Sequence, residues 1–247
     1  MLEADDLKIR NLELEIENER LKKVVSDLEK SYNAELEIEN KHLKTALSDL
    51  ERSYDATLGA LGNALDLKER ASGGHSRRVC AFTMGIARAM GLSNEEIAAI
   101  ARGAFLHDIG KMAIPDEILL KPGKLTPEET ATMREHSFKG YQIIHKIPFL
   151  KVAAEVVYAH HERYDGTGYP RGLHGKEIPL GARIVAIANT VDSITSDLPY
   201  RAALPHPVAR KEIQDWSGRQ FDPEVVDVFQ RMPDEIFAEL SRKIRGG

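Results

Sequence analysis

The 247-residue chain has a single cysteine, Cys80. One cysteine can form neither an intramolecular disulfide nor a cysteine-rich zinc site, and its scarcity favours a reducing compartment. No apolar run approaches the roughly 18 residues of a membrane-spanning helix, and the acidic N-terminus has no signal-peptide pattern. These absences predict a cytoplasmic chain with no segment in the membrane.

An excess of positive charge is also missing, because the formal net charge is -5. Such a balance gives no general attraction to nucleic acid or to anionic membranes. Nucleic acid is therefore not an expected partner, and local charges would have to hold any anionic substrate.

The first quarter of the chain contains a tandem repeat. Residues 13–34 (ELEIENERLKKVVSDLEKSYNA) and 35–56 (ELEIENKHLKTALSDLERSYDA) are identical at 15 of 22 positions. Both copies place apolar residues at alternating spacings of three and four, which is typical of a coiled-coil seam. The two seams consist of Leu14, Asn18, Leu21, Val25, Leu28 and Tyr32, and of Leu36, Asn40, Leu43, Leu47, Leu50 and Tyr54.

Asn18 and Asn40 occupy core positions of this seam. A buried asparagine pair favours two parallel strands in a fixed register, at some cost in stability. The pattern thus predicts a parallel homodimer through residues 1–58. A single solvated amphipathic helix folded onto its own domain is the alternative.

The glycines of LGALGNALDLKERASGGHSRR end the regular pattern, and a second domain is predicted at 59–247. Its segments have helical spacing and helix-start signals, such as Ser93 with Glu96, Thr126 before Pro127, and an Asp-Pro pair at 222–223. No segment alternates convincingly as a strand does, so the predicted fold class is all-α.

Five of the nine histidines lie at helix ends or on helical faces, and the set includes an adjacent His-Asp pair and an adjacent His-His pair. Neighbouring helical residues point about 100° apart, so an adjacent pair suits two neighbouring metals better than one. The set predicts a bimetal centre, with iron or manganese first and nickel or zinc as alternatives. Its members are His75, His107, Asp108, His136, His160, His161 and Asn189.

Long motifs carry a family resemblance. HSRRV, FLHDIGKMAIPDEILLKPGKLTPEE, and HHERYDGTGYPRGLHGKEIPLGARIVAIA resemble the HD-GYP subfamily of HD-domain phosphohydrolases, from about residue 73 to 231. The resemblance implies an all-α HD-domain bundle, here preceded by the long coiled-coil helix. It also implies metal-dependent hydrolysis of the bacterial second messenger cyclic di-GMP or a related cyclic dinucleotide.

The resemblance assigns roles to individual residues. It makes six residues metal ligands, with Asp108 bridging the metals, and it places Lys111 on the substrate phosphate. Tyr169 and Pro170, in the GYP loop, would shape the mouth of the pocket and contact a signalling partner. The six ligands are His75, His107, Asp108, His136, His160 and His161.

Three positions depart from the family pattern. Asn189 stands where the family has a metal-binding aspartate, and Leu198 stands where it has an arginine, leaving Arg201 as the nearby cation. A neutral amide should hold one metal more weakly than a carboxylate does. Ala71 replaces a glutamate that supports a third metal in some members, so at most two metals are expected.

Three functions compete on this basis. An active phosphodiesterase, weakened by Asn189 and Leu198, is the first. A catalytically degenerate sensor or adaptor, which binds nucleotide or a partner and signals through the coil, is the second. An HD hydrolase of mononucleotides is the third, and the full GYP stretch disfavours it.

The coiled coil yields a direct test. If residues 1–58 form the main dimer contact, the whole chain should be dimeric in solution and residues 59–247 should be monomeric at the same concentration. Light scattering coupled to size exclusion would measure both masses. Equal dimerisation of the two proteins would contradict the prediction.

Overall fold

A computed structural model describes residues 2–69, 74–197 and 201–245. Over these residues the chain forms helices and only two isolated β-bridges, so the all-α prediction is confirmed. Three short 3₁₀ turns lie at Ile109–Ala113, Pro148–Leu150 and Gly175–Glu177. The α-helices are α1 (Leu2–Glu69), α2 (His75–Ala89), α3 (Asn94–Leu106), α4 (Asp116–Leu119), α5 (Pro127–Arg134), α6 (His136–Ile144), α7 (Lys151–Ala159), α8 (Leu180–Thr195), α9 (His206–Asp215), α10 (Pro223–Arg231) and α11 (Asp234–Arg245).

The chain divides into two compact units, residues 1–56 and 57–247. The first unit is helical, and its seam side chains are exposed in the single chain, with Leu14 at 62% and Leu43 at 63%. The predicted domain boundary after residue 58 lies inside α1, because Gly59 and Gly62 are accommodated within the helix instead of ending it. Over the described residues, no helix is long and apolar enough to cross a membrane.

The predicted capping signals begin their helices. Ser93 and Glu96 form a reciprocal capping box at α3, and Thr126 does the same with Glu129 at α5. Asp222 accepts a hydrogen bond from the backbone N–H of Glu224 at the start of α10. The helix that starts after Thr126 is short, because α5 ends at Arg134 and α6 begins at His136. The break places His136 at a helix end.

The two larger apolar cores among the described residues hold most of the second unit together. The larger packs α2, α3, α8 and the C-terminal helices around fully buried side chains such as Phe82, Ile184 and Phe229. The smaller joins the last turns of α1 to α3, α6 and α7 through Leu58, Leu106 and their neighbours. Helix α3 contributes to both cores, and its C-terminal end is therefore held from two sides.

Gly110 lies where the turn after α3 meets α6 at backbone distance. A Cβ built on Gly110 would approach the carbonyl oxygen of His136 to 1.8 Å and the backbone nitrogen of Gly140 to 2.5 Å. Backbone atoms cannot rotate away as a side chain can. Close packing at this point therefore requires glycine.

A matched pair of glycine substitutions tests this contact. Gly110→Ala should lower the free energy of unfolding by about 1–3 kcal/mol or more, since 1–3 kcal/mol is the usual cost of overpacking. Gly59→Ala should raise it by up to about 1 kcal/mol, since a Cβ there meets no atom within 4 Å and alanine favours helix. Urea denaturation measures the change in the free energy of unfolding for both variants. An unchanged free energy of unfolding in Gly110→Ala would contradict the close packing.

Candidate metal centre

Helix ends bring the predicted ligands together. His75 opens α2 and His136 opens α6, while His107 follows the last residue of α3 and His160 follows the last residue of α7. The five predicted imidazole ligands pack within one cluster in T-shaped or tilted arrangements, with neighbouring ring centroids 4.1–5.3 Å apart. Five of the six predicted ligands are thus positioned by four helices, and Asp108 follows His107 directly.

Free carbonyl groups at the helix ends orient three of these rings. The last carbonyls of an α-helix have no partner within the helix. Nδ1 of His107 donates to the carbonyl oxygen of Ala104 at 2.8 Å, and Nδ1 of His160 donates to that of Val157 at 2.7 Å. His136 uses the carbonyl of Met133 in the same way at 2.7 Å. Since a carbonyl only accepts, Nδ1 carries the proton and Nε2 is left with a lone pair.

A carboxylate orients the fourth ring. Nδ1 of His75 donates to Asp192 Oδ2 at 2.7 Å, and Arg78 donates to Oδ1 of the same carboxylate at 2.5 Å. Asp192 is buried, and both of its carboxylate oxygens are engaged in these hydrogen bonds. A carboxylate behind a histidine fixes the tautomer and raises the basicity of the nitrogen that faces a metal.

The Asp108 carboxylate lies between two groups of histidines. Its Oδ2 is 3.1 Å from His107 Nε2 and 3.8 Å from His75 Nε2. Its Oδ1 is 3.5 Å from His136 Nε2 and 4.0 Å from His160 Nε2. Each carboxylate oxygen therefore faces a different pair of imidazoles.

Two imidazole nitrogens in the centre face each other without a proton to share. Nε2 of His136 lies 3.3 Å from Nε2 of His160, and both rings carry their proton on Nδ1. Nε2 of His107 is buried and has no hydrogen-bond partner among the described residues. Facing lone pairs and a buried unsatisfied nitrogen are costly without a cation, so the donor set fits divalent metal ions.

Two groups of residues have the spacing for a metal. In each group the candidate ligand atoms lie within 4.8 Å of one another. Nitrogen and carboxylate oxygen donors without thiolate suit first-row metals in a catalytic setting. The groups are His75, His107 and Asp108, and His136, His160 and His161.

Burial keeps most of these imidazoles neutral. It lowers the pKa of His161 to about 3, and it lowers the pKa of His160 well below the usual range with help from the neighbouring histidines. Burial alone would raise the pKa of the Asp108 carboxyl, but His107 and Lys111 hold that pKa well below its usual value. Burial lowers the pKa of His107 as well, but the Asp108 carboxylate outweighs it and raises that pKa. His136, His160 and His161 are therefore the neutral nitrogen donors beside one ionised carboxylate.

Lys111 and Tyr169 border this centre on different sides. Lys111 Nζ donates to Asp108 Oδ2 at 2.8 Å. The Tyr169 ring stacks on the His161 imidazole at 4.7 Å between centroids, with 21° between planes. The loop that carries Tyr169 is held by the buried Glu162, which accepts from the backbone N–H groups of Arg171 at 2.8 Å and Leu173 at 3.1 Å.

Two glycines of this loop, Gly166 and Gly168, have structural roles. Gly166 has a φ of 78°, a left-handed conformation that favours glycine. A Cβ on Gly168 would lie 2.3 Å from the backbone nitrogen of Arg163. Pro170, which follows Tyr169 through a cis peptide bond, is exposed.

A cavity of about 270 Å³ adjoins the His160 and His161 side of the centre. Asn189, on α8, lines this cavity beside the two histidines. The guanidinium of Arg201 donates instead to the carbonyl oxygen of Ser193 at 2.5 Å, and Arg201 does not line the cavity. Ala71 and Leu198 lie outside the described residues.

Comparison with known proteins identifies the domain. An HD-domain family profile matches residues 59–225, about two thirds of the chain. The chain belongs to the HD-domain family. The resemblance to HD-domain phosphohydrolases, drawn from the motifs, is therefore confirmed, and the His107-Asp108 pair is the pair expected from that resemblance.

Two curated relatives and one solved structure locate the HD domain among known proteins. The cyclic di-GMP phosphodiesterase of Thermotoga maritima is 45% identical over 164 residues, which span 66% of this chain and 45% of the relative. The 3'3'-cGAMP-specific phosphodiesterase 2 of Vibrio cholerae is 38% identical over 180 residues, 72% of this chain and 34% of the relative. The chain thus spans less than half the length of either relative.

The solved structure is that of a cyclic GMP-AMP specific phosphodiesterase of V. cholerae, V-cGAP3. It shares the fold with a TM-score of 0.59 and 20% identity, over 76% of this chain and 52% of that one. At this identity the likeness supports the helical HD-domain fold alone.

Some functional neighbours were missed by sequence analysis. Arg134, Arg163 and Gln220 line the cavity, but only Arg163 lies within a quoted motif of the candidate site. The pairing of His75 with Asp192 joins residues 117 positions apart. Arg134 precedes His136 by two residues, and that proximity is the one sequence signal that could have found it.

Removal of the His-Asp pair tests the ligand assignment. A His107→Ala, Asp108→Ala double variant should lose both bound metals, because it removes two ligands of one group and the carboxylate that faces the other. Metal content per chain, measured by mass spectrometry of the purified protein, should fall from two to near zero.

The matched control is His145→Ala. His145 stacks on Tyr141 outside both groups, so this variant should keep its metal. Two metals per chain in the double variant would refute the assignment.

Proposed function

We propose that the HD domain hydrolyses one phosphodiester bond of a cyclic dinucleotide, with cyclic di-GMP as the first candidate, at a two-metal centre. The observation that carries the proposal is the position of the Asp108 carboxylate, whose two oxygens face two separate groups of imidazoles. Two metals held by one bridging carboxylate are typical of enzymes that catalyse in-line displacement at phosphorus. The activities for which the two curated relatives are named support the same reaction.

The proposed ligands of one metal are His75, His107 and Asp108, and those of the other are His136, His160, His161 and Asp108. Iron or manganese suits these donors best, with nickel or zinc as alternatives. Asn189 lines the adjoining cavity and is proposed as a weak additional ligand through its carbonyl oxygen. When bound, such ions supply the positive charge that makes water nucleophilic near neutral pH and stabilises the charge developing on the phosphoryl oxygens.

The chain's own residues prepare the site for an anionic substrate. We assign Lys111 to the substrate phosphate, which its ammonium would contact from the side of Asp108; the ammonium lies 2.8 Å from that carboxylate. The neutral histidines leave the positive charge of the centre uncancelled. In the reaction a water oxygen replaces one ribose oxygen on phosphorus, and the departing oxygen takes up a proton.

Tyr169 can act only as a neutral group in this reaction. Burial raises the pKa of its hydroxyl to about 12, so the hydroxyl stays protonated at physiological pH. A protonated phenol donates a hydrogen bond, and its ring covers His161. We assign Tyr169, with the exposed Pro170, to the mouth of the pocket.

Hydrolysis is favoured over the degenerate sensor or adaptor. All six residues that the resemblance makes ligands, together with Lys111, converge in one cluster whose polar geometry fits metal. A protein that only bound a partner would have no need for preset neutral histidines around an ionised carboxylate. Asn189 lies beside this cluster and does not interrupt it.

We further infer a homodimer through the coiled coil. The exposed seam of α1 includes Leu21 at 55% and Leu28 at 64%, and a second copy of the seam would cover both. Contact between the GYP loop and a signalling protein, and location in the cytoplasm, also remain proposals.

The decisive experiment is product analysis with the metal-loaded whole chain. Cyclic di-GMP and 3'3'-cGAMP are supplied separately with manganese or iron, and linear dinucleotide and mononucleotide are separated by chromatography. Turnover of either substrate, abolished by chelation and absent from the His107→Ala, Asp108→Ala variant, would support the proposal. No product from either substrate in a chain that holds two metals would refute it.

Restoring the family's aspartate tests the role of Asn189. Asn189→Asp should tighten the weaker metal on the order of tenfold, because a charged ligand replaces a neutral one. Turnover of cyclic di-GMP should rise most at limiting metal. Titration calorimetry of metal and turnover at limiting and saturating manganese measure the two effects.

Leu198→Arg is the companion variant. It adds a cation without adding a metal ligand, so it should lower KM for the nucleotide and leave metal affinity unchanged. If Asn189→Asp alters neither metal affinity nor turnover, the amide does not limit the site.

A further inference from the structure

Arg134 lies at the edge of the candidate metal centre, and no motif assigned it a role. It is the last residue of α5, two positions before His136, and its side chain lines the cavity that His160 and His161 also line. The residue is exposed, so its guanidinium can reach a ligand that enters from solvent. Its charge is therefore available at the entrance of the site.

Three planar groups stand in a row at this edge. The Arg134 guanidinium lies 4.9 Å from the centroid of the Tyr169 ring, and that ring stacks on the His161 imidazole at 4.7 Å. Cation–π contact holds the guanidinium plane over the tyrosine while its N–H groups point outward at the edges. The row fixes a cation one aromatic ring away from a proposed metal ligand.

Other arginines of the domain stack on aromatic rings, but their N–H groups are already used. Arg163, over Trp216, donates to Gln220, and Arg171, over Tyr158, donates to Glu155. Among the described residues, the Arg134 guanidinium has no carboxylate or carbonyl acceptor comparable to these. A planar donor without an acceptor, held in a fixed place, suits a bidentate contact with phosphate.

The chemistry of the substrate supplies a matching acceptor. A cyclic dinucleotide has two phosphodiesters, and only one of them can occupy the metal centre and contact Lys111. The second phosphate is an anion that must lie elsewhere in or near the pocket.

We propose that Arg134, stacked on Tyr169, binds the phosphate of the cyclic dinucleotide that is not cleaved. This inference rests on the proposed function and adds a specificity-determining contact to it. It also explains how the pocket holds a doubly charged substrate although Leu198 replaces the family's arginine and Arg201 is engaged with Ser193. The contact depends on phosphate, so it does not distinguish one base from another.

Substrates with two phosphodiesters and with one separate this role from a structural one. Arg134→Gln should lower kcat/KM for cyclic di-GMP at least tenfold, while kcat/KM for bis(p-nitrophenyl) phosphate, which has a single phosphodiester, should change less than twofold. Arg134→Lys keeps the charge but loses the planar guanidinium, so its kcat/KM for cyclic di-GMP should lie between those of the wild type and Arg134→Gln. An equal loss on both substrates would show that Arg134 only supports Tyr169 and His161, and would overturn the proposal.

The matched control is Arg219→Gln. Arg219 also stacks on an aromatic ring, Trp216 at 4.3 Å, but it does not line the cavity. This variant loses the same charge and the same kind of stack, and it should leave both substrates unaffected. An effect on cyclic di-GMP as large as that of Arg134→Gln would show that general surface charge is responsible, and would also overturn the proposal.

Equilibrium binding keeps the inference testable if the metal-loaded whole chain turns over neither substrate. In that case the proposed function fails, and calorimetry with cyclic di-GMP still compares the wild type with Arg134→Gln. At least tenfold weaker binding by the variant would support the contact. Equal binding by the two, or no binding by the wild type, would overturn it.

Discussion

The Asp108 carboxylate is the one group that both halves of the metal centre share. One oxygen faces His75 and His107, and the other faces His136 and His160. The rest of the domain can be understood as the means of holding this geometry. Helix α3 is fixed by two apolar cores, its end delivers Asp108, and Gly110 lets the following turn meet α6 at backbone distance.

Helix ends also orient the imidazole rings. A histidine in the middle of a helix finds the nearby carbonyls already bonded, whereas one just after the last turn finds them free. His107 and His160 use such carbonyls, and each is thereby left with Nε2 directed at the centre. The negative end of the helix dipole also favours a cation at these two positions. Local backbone chemistry thus prepares the metal site before any metal binds.

Much of this arrangement could be predicted from the sequence, and the reason is local. The adjacent pairs at 107–108 and 160–161, the capping box at Ser93 and the Asp-Pro start of α10 depend on neighbours within a few residues. The contacts that were missed depend on the tertiary fold. Asp192 meets His75 across 117 positions. Gly62 lets α1 pack against the Phe105 ring, which a Cβ at position 62 would approach to 2.2 Å. No period or motif encodes such distances.

Asn189, in place of the family's aspartate, changes the charge of the candidate site more than it changes the shape of the cavity. With Asn189 in the cavity wall, Asp108 is the only carboxylate among the proposed ligands, so less negative charge offsets the metals. On the proposed assignment we expect weaker retention of one metal and stronger attraction for an anionic substrate. Loss of the arginine at position 198 acts in the opposite direction, since it removes attraction for the same anion. A cation at Arg134 would restore part of that attraction from the far side of Tyr169. The departures at Asn189 and Leu198 therefore need not abolish binding of the substrate. Electrostatic attraction depends on the summed charge around the cavity and not on one position.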